Sequence, residues 1–172
     1  MGMSRWIGVA GLTLAVAACG GGEKKQEAAV EEAPATLPAG LYEISGEVTQ
    51  LASTDKTAPA TKLKPGDKSV AKACVTADGQ PEPALLAEAK GDKCEIKNSY
   101  IHNGRMSAQM SCTRAGQTGY VMPAMMGSFT KDGFEGEINT LTYFYADGDY
   151  RMTRKVTAKR LGDCPAQAAK SS

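Results

Sequence analysis

Few side chains in this sequence are placed to do chemistry. His102 is the single histidine, it falls in an expected turn, and no Ser or Cys is placed by sequence to be its nucleophile. Glu43 and Glu47 share one face of an expected strand, and Glu135 and Glu137 share another. Such carboxylate pairs perform acid–base work when their surroundings separate their pKa values, but on the strands of a small domain they are expected to be the solvated face. Asp147-Gly148-Asp149 starts like a calcium loop and lacks the remaining ligands and the closing Glu, so it reads as a turn. Methionine is the unusual component: Met122, Met125 and Met126 surround Pro123, and Met106, Met110 and Met152 fall on apolar strand faces. Thioethers are soft ligands suited to Cu(I), which makes a copper protein one alternative; the other is adaptable core filling. No catalytic residue, metal ligand or cofactor is assigned, and the chain is expected not to be an enzyme.

The five cysteines divide into two kinds. Arg5 followed by the apolar run Trp6 to Ala18 reads as an export leader, since spanning a bilayer as a helix takes about 20 residues. Val16-Ala17-Ala18-Cys19 resembles the bacterial lipobox, which implies cleavage before Cys19 and acylation of that residue, a palmitate-type anchor. Gly20, in place of Asp, resembles the default signal for the outer membrane. Several acyl chains satisfy the two-signal condition for stable anchoring, at about 0.8 kcal/mol per buried methylene. The expected location is the cell envelope, lipid-anchored at the periplasmic face of the outer membrane. Arg5 leaves with the leader, so the 20 basic and 19 acidic side chains of the full sequence become equal in number, which argues against a nucleic-acid partner held by bulk charge. Residues 19–36 are Gly, Glu, Lys and Ala with little to bury, a disordered tether reaching roughly 20–25 Å.

Cys74, Cys94, Cys112 and Cys164 remain. In an exported domain they imply two disulfides with three possible connectivities; there is no Cys-x-x-Cys to suggest zinc. Register narrows the choice. Asn103-Gly104 between alternating runs marks a hairpin, and a two-residue loop there would set Cys94 against Thr113. A three-residue loop, His102-Asn103-Gly104, sets Cys94 against Cys112, Ile96 against Met110, Asn98 against Ala108 and Tyr100 against Met106. The longer loop is therefore expected, leaving Cys74 to join Cys164.

The folded part is expected over 37–165, ahead of a flexible tail, 166–172. Leu41 to Val48 has strand alternation with Tyr42, Ile44 and Val48 on one face. A loop follows over 53–67 and a strand over 69–75. Pro81 to Lys90, with Pro at its start and Gly91 at its end, reads as one short helix. Lys131-Asp132-Gly133 and Ala146-Asp147-Gly148 repeat the three-residue device; the second sets Phe144 against Tyr150, Thr142 against Met152, and Ile138 against Val156. The fold class is mainly β: an antiparallel meander sheet, strongly curved or barrel-like, with one short helix and two disulfides.

Pro38-Ala39-Gly40-Leu41-Tyr42-Glu43, Cys74-Val75-Thr76, the Cys94 and Cys112 pair, Asp132-Gly133-Phe134-Glu135-Gly136 and Arg160-Leu161-Gly162-Asp163-Cys164 together resemble domain of unknown function 3617, a bacterial envelope family, over about residues 37–165. Here Ala39 interrupts the family's Pro-Gly pair, and Tyr42 stands for its more usual Trp. The resemblance implies topology and compartment and brings no catalytic residue. The expected role is a non-catalytic binding or envelope-maintenance module whose partners are the membrane, through Cys19, and an envelope protein or lipid. Arg151, Lys155 and Lys159 on the solvent face of the last strand suit anionic headgroups, or equally protect a sheet surface from aggregation. The alternative is a carrier holding a small apolar ligand against Tyr100, Met106, Met110, Tyr143, Phe144 and Met152.

Overall fold

A computed structural model describes residues 33–165. The leader, Cys19, most of the tether and the tail lie outside the described residues.

Seven antiparallel strands form one sheet in the order β2-β1-β7-β6-β5-β4-β3. They are β1 (Gly40–Ser53), β2 (Lys68–Val75), β3 (Lys93–His102), β4 (Arg105–Thr113), β5 (Gly119–Phe129), β6 (Gly133–Phe144) and β7 (Tyr150–Gly162). The sheet curls into a half-barrel. Along each strand alternate side chains enter the concave face, where Tyr42, Ile44, Met106, Met110, Met125, Ile138, Met152 and Val156 form one core. This is the period of two that the hydrophobic pattern dictates. Tyr42 closes one end of this core, its hydroxyl donating to the Pro38 carbonyl at 2.8 Å and its ring 5.9 Å from that of Phe134.

Both disulfides take the expected pairing, Cys94–Cys112 and Cys74–Cys164. The route to the first differs from expectation. The hairpin loop has two residues: His102 faces Arg105, and Asn103 and Gly104 both take positive φ, 48° and 74°, as a type I′ turn requires. A bulge at Lys97 then absorbs one residue, so Ile96 still faces Met110 and Cys94 still faces Cys112. Between bulge and turn the pairing differs: Ser99 faces Ala108, Tyr100 faces Ser107, and Ile101 faces Met106. Lys97 and Asn98 both turn outward, and the inward set changes from even to odd. A bulge costs one unpaired residue and returns a bend, which the curl of the sheet uses.

The other two turns depart from expectation in the opposite sense and are wider than three residues. Phe129 faces Phe134 across the turn Thr130–Gly133, burying both rings. In β6 and β7, Thr140 rather than Thr142 faces Met152, and Gly136 rather than Ile138 faces Val156. The slip is of two residues, so the faces survive it. Its cause is a side-chain cap: Asp149 accepts from Thr142 Oγ1 and the Phe144 amide, each at 2.8 Å, while Asp55 accepts from the Gly148 and Asp149 amides. Asp55 also accepts from the Thr57 hydroxyl at 2.7 Å and the Thr57 amide at 2.9 Å, and these bonds, with that from the Gly148 amide, hold its carboxyl well below the usual carboxylate range.

The expected helix is a single turn, α1 (Pro83–Leu86). Ala87 is extended, at φ −57° and ψ 150°, and this turns Glu88 inward where a continued helix would have sent it elsewhere. Residues 76–92 thus cross the open mouth of the half-barrel from β2 to β3, with Leu85 and Leu86 buried beneath. Gln80 fastens the crossing to the far edge, its side-chain oxygen accepting from the Ser99 hydroxyl at 2.9 Å. The Ala35 carbonyl accepts from the Asn103 amide and lies 2.9 Å from His102 Nδ1, so the last residues assigned to the tether are held at the β3–β4 turn.

Two predictions follow from curvature and cross-linking. Gly127 and Gly136 face each other in β5 and β6, and a Cβ on Gly136 would lie 2.2 Å from the Met126 carbonyl oxygen. Gly136→Ala should destabilise the domain by about 1–3 kcal/mol; a denaturant midpoint equal to wild type would refute this account of the bend. By loop entropy the Cys74–Cys164 bond, spanning 90 residues, contributes about 4–5 kcal/mol, and Cys94–Cys112, spanning 18, about 3 kcal/mol. Removing the first pair by double Ser substitution should therefore lower Tm further than removing the second.

Candidate functional site

Beneath the crossing segment lies a cluster of charged groups in an otherwise apolar chamber. Asp92 ends the crossing, held in a turn with Ala89 by hydrogen bonds in both directions. One residue beyond β4 stands Arg114, whose guanidinium forks onto Asp92, Nε to Oδ1 and Nη2 to Oδ2, both at 2.8 Å. Because the bulge sets Cys94 against Cys112, it also sets Asp92 against Arg114, two positions further out. The same Nη2 lies 3.1 Å from Glu88 Oε1, and Nη1 donates to the Tyr150 hydroxyl at 2.9 Å. Tyr150 in turn donates to Glu88 Oε1 at 2.6 Å. Arg154, only 5% exposed, donates from Nη2 to the Leu86 carbonyl at 2.8 Å and from Nη1 to that of Ala87 at 3.1 Å, clasping the end of α1.

The electrostatics follow from burial and pairing. Hydrogen bonding to Asp92 strengthens the hold of Arg114 on its proton, against the effect of its burial. Burial pushes the Tyr150 phenol above its ordinary value, Glu88 adds to the shift, and Arg114 opposes it. Burial depresses Arg154, with Glu88 opposing. Two carboxylates and two guanidiniums share this site.

Alongside lies a cavity of about 560 Å³, within the range of small-molecule sites, roughly 300–1,000 Å³. Ile44, Ala71, Leu85 and Val156 supply apolar wall, and Ser69, Lys72, Glu88, Lys90, Asp92 and Arg154 are the polar residues along it. It opens between edge strand β2 and the crossing segment.

The residues expected to form a ligand face do not assemble there. Tyr100 is 58% exposed, because the bulge at Lys97 carries it to the outer face. Tyr143 also points outward, opposite Tyr120. Met106, Met110 and Met152 are closely packed core, and Phe144 borders it, its ring 6.4 Å from that of Tyr150. The methionines around Pro123 are separated by strand alternation: Met125 is buried, Met122 and Met126 are exposed. Glu43 and Glu47 form cross-strand ion pairs with Lys72 and Lys68, at 3.0 and 3.7 Å. Glu135, Glu137, Arg151, Lys155 and Lys159 are exposed, as expected. Among the described residues no group of three or more His, Cys, Asp or Glu is arranged to hold a metal ion.

A family model described as "Protein of unknown function (DUF3617)" matches residues 37–164. The chain belongs to that family. Neither the curated proteins nor the solved structures contain a match to it. The DUF3617 match runs from Leu37 to Cys164, and so contains all seven strands, the crossing segment and both disulfides.

Sequence reasoning missed Glu88, Asp92, Arg114, Tyr150 and Arg154 as a group. One of them left a signal: Met152, Arg154, Val156 and Ala158 occupy the inward positions of β7, and Arg154 is the charged exception. Arg114, beyond the end of its strand, left none.

Replacing Arg114 by Leu strands two carboxylates that are almost wholly enclosed, and such a change is expected to cost about 3–5 kcal/mol. Tyr150→Phe should cost about 1–3 kcal/mol, measured by urea denaturation. The raised Tyr150 pKa favours the folded state fully below the unfolded phenol value, about 10. That contribution is lost as pH rises through the folded value. The stability gap between wild type and Tyr150→Phe should accordingly narrow at alkaline pH; a gap that widens there would overturn the assignment.

Proposed function

We propose that this protein is a lipid-anchored module of the cell envelope that holds a small, largely apolar ligand in its half-barrel, without turning it over. The observation that carries the reading is the cavity of about 560 Å³ between β2 and the crossing segment, with Ile44, Ala71, Leu85 and Val156 on its apolar side and Lys72 and Lys90 among its polar residues. This cleft is more enclosed than the clefts of similar volume elsewhere on the domain, and enclosure is what buries a small ligand's surface. Holding rather than catalysis is favoured because the buried acids and bases are tied to one another and to the backbone. The envelope location and the membrane as a partner are supported by the leader run, Val16-Ala17-Ala18-Cys19, and by two disulfides of the kind that persist in oxidising compartments.

Ala71 stands opposite Ile44 on the edge strand and is only half-buried, so a larger side chain there fills the cavity while sparing the core. Ala71→Phe should weaken binding of a solvatochromic apolar dye by about tenfold with Tm maintained; undiminished binding would place the dye elsewhere and sink the reading. Cys19→Ser should abolish incorporation of labelled palmitate and move the protein from the membrane to the soluble envelope fraction. Retention in the membrane without label would refute the anchor.

A further inference from the structure

Where a ligand can meet it, the cleft between β2 and the crossing segment carries charge of one sign. Glu88 and Asp92 border the cleft, but their side chains are only 1% exposed and are committed to Arg114. Arg154 is buried and spends its terminal nitrogens on the Leu86 and Ala87 carbonyls. The charged side chains along the cleft that solvent reaches are Lys72 and Lys90. Lys72 is paired with Glu43 at 3.0 Å and its side chain is still 55% exposed. Lys90 is exposed and makes no ion pair or side-chain hydrogen bond among the described residues.

The backbone beside Lys72 offers donors as well. Strand β2 ends the sheet, with β1 as its one neighbouring strand. At its C-terminal end the crossing segment docks on the free edge: the Cys74 carbonyl accepts from the Glu82 amide at 2.9 Å, and the Cys74 amide donates to Glu82 Oε2 at 3.0 Å. Backbone direction alternates along a strand, so the amides of Lys72 and Val70 also point off the sheet, at residues that line the cleft. Glu82 is thus a carboxylate seated on the free edge of β2, and a ligand carboxylate would repeat that contact further along. The carbonyls of Lys72 and Val70 lie on the same edge, so it is the ammonium groups that tip the choice toward an anion.

We infer that the cleft takes an aliphatic carboxylate, its chain against Ile44, Ala71, Leu85 and Val156 and its head at the mouth, accepting from a free-edge amide of β2 and paired with Lys90. The inference rests on the binding reading given above and narrows it to a ligand class. A carboxylate at the mouth keeps part of its hydration and gains charge-assisted hydrogen bonds, whereas one driven into the interior loses its water. An ammonium head there meets two like charges. A hydroxyl head gains the hydrogen bond without the charge.

The test uses the full chain carrying Cys19→Ser, free of acyl groups, titrated at neutral pH and low salt with decanoate, decanol and decylammonium, each kept below its aggregation threshold. Decanoate is expected to bind about tenfold tighter than decanol, and decylammonium more weakly than either. Added salt should shrink the lead of decanoate over decanol. Lys90→Glu, a change at an exposed position, should remove the preference for decanoate over decylammonium. Equal affinity across the head groups, a preference for decanol or decylammonium, or a lead for decanoate that survives both salt and Lys90→Glu overturns the ligand class and leaves the binding reading standing. Failure of all three probes to bind overturns the binding reading itself. Should Lys90→Glu fail to fold, the wild-type series and its salt dependence decide.

Discussion

The fork of Arg114 onto Asp92 is the contact through which sheet and crossing segment become one structure. A seven-stranded half-barrel has an open mouth, and the chain that must cover it contains one helical turn, too short to be stable on propensity alone. Its hold comes from what it places inside: Leu85 and Leu86 as apolar ballast, then Glu88 and Asp92 on Arg114, Tyr150 and Arg154. Buried ion pairs are weak contributors to net stability and costly when broken on one side. They therefore act here as a selector of arrangement. Any placement of the crossing that fails to bring Asp92 to Arg114 leaves charge enclosed without a partner. The Cys94–Cys112 bond, two positions inward on the same strands, makes that approach a property of the hairpin and spares it from depending on the loop.

The architecture was legible because strand alternation is a strong signal and because the cysteines report on register. Alternation puts Tyr42, Ile44 and Val48 on one face, and all three are buried. Cys94 pairs with Cys112 as alternation implies, but through a shorter loop and a bulge. An Asn-Gly turn and facing cysteines can be reconciled by lengthening the turn, whereas the chain reconciles them with a bulge at Lys97, six residues before Asn103. Bulges have no compositional mark comparable to Asn-Gly. The consequence reached the functional reading, since Tyr100 changes face with the bulge. The helix was overextended for a related reason: Ala, Leu, Glu and Lys after Pro83 favour a helix locally, and burial of Glu88 against Arg114 overrides that preference.

The site was invisible because its members come from separate stretches and three of them resemble surface residues in sequence. Glu88 and Asp92 stand beside lysines, and Arg154 stands within a basic run. Only the inward register of β7 sets Arg154 apart from Arg151, Lys155 and Lys159. The outer face, by contrast, follows the sequence closely. Cross-strand pairs such as Glu47 with Lys68 populate it near β2, and aromatic and thioether side chains, Tyr120 beside Tyr143 and Met122 beside Leu141, populate it near β5 and β6.

The position of β7 sets the order in which this molecule can assemble. The last strand made is the third in the sheet, lying between the first strand and the sixth. Strands β3 to β6 can pair as successive hairpins while the chain is still emerging, since each neighbour is local. Strands β1 and β2 have no route into that sheet until residues 150–162 arrive. Arg154 also comes with β7, so the clasp on the crossing segment is completed at the same late step. Closing a pairing across more than a hundred residues is slow relative to hairpin formation. The half-barrel is thus a fold whose chamber exists only after the whole domain has been delivered.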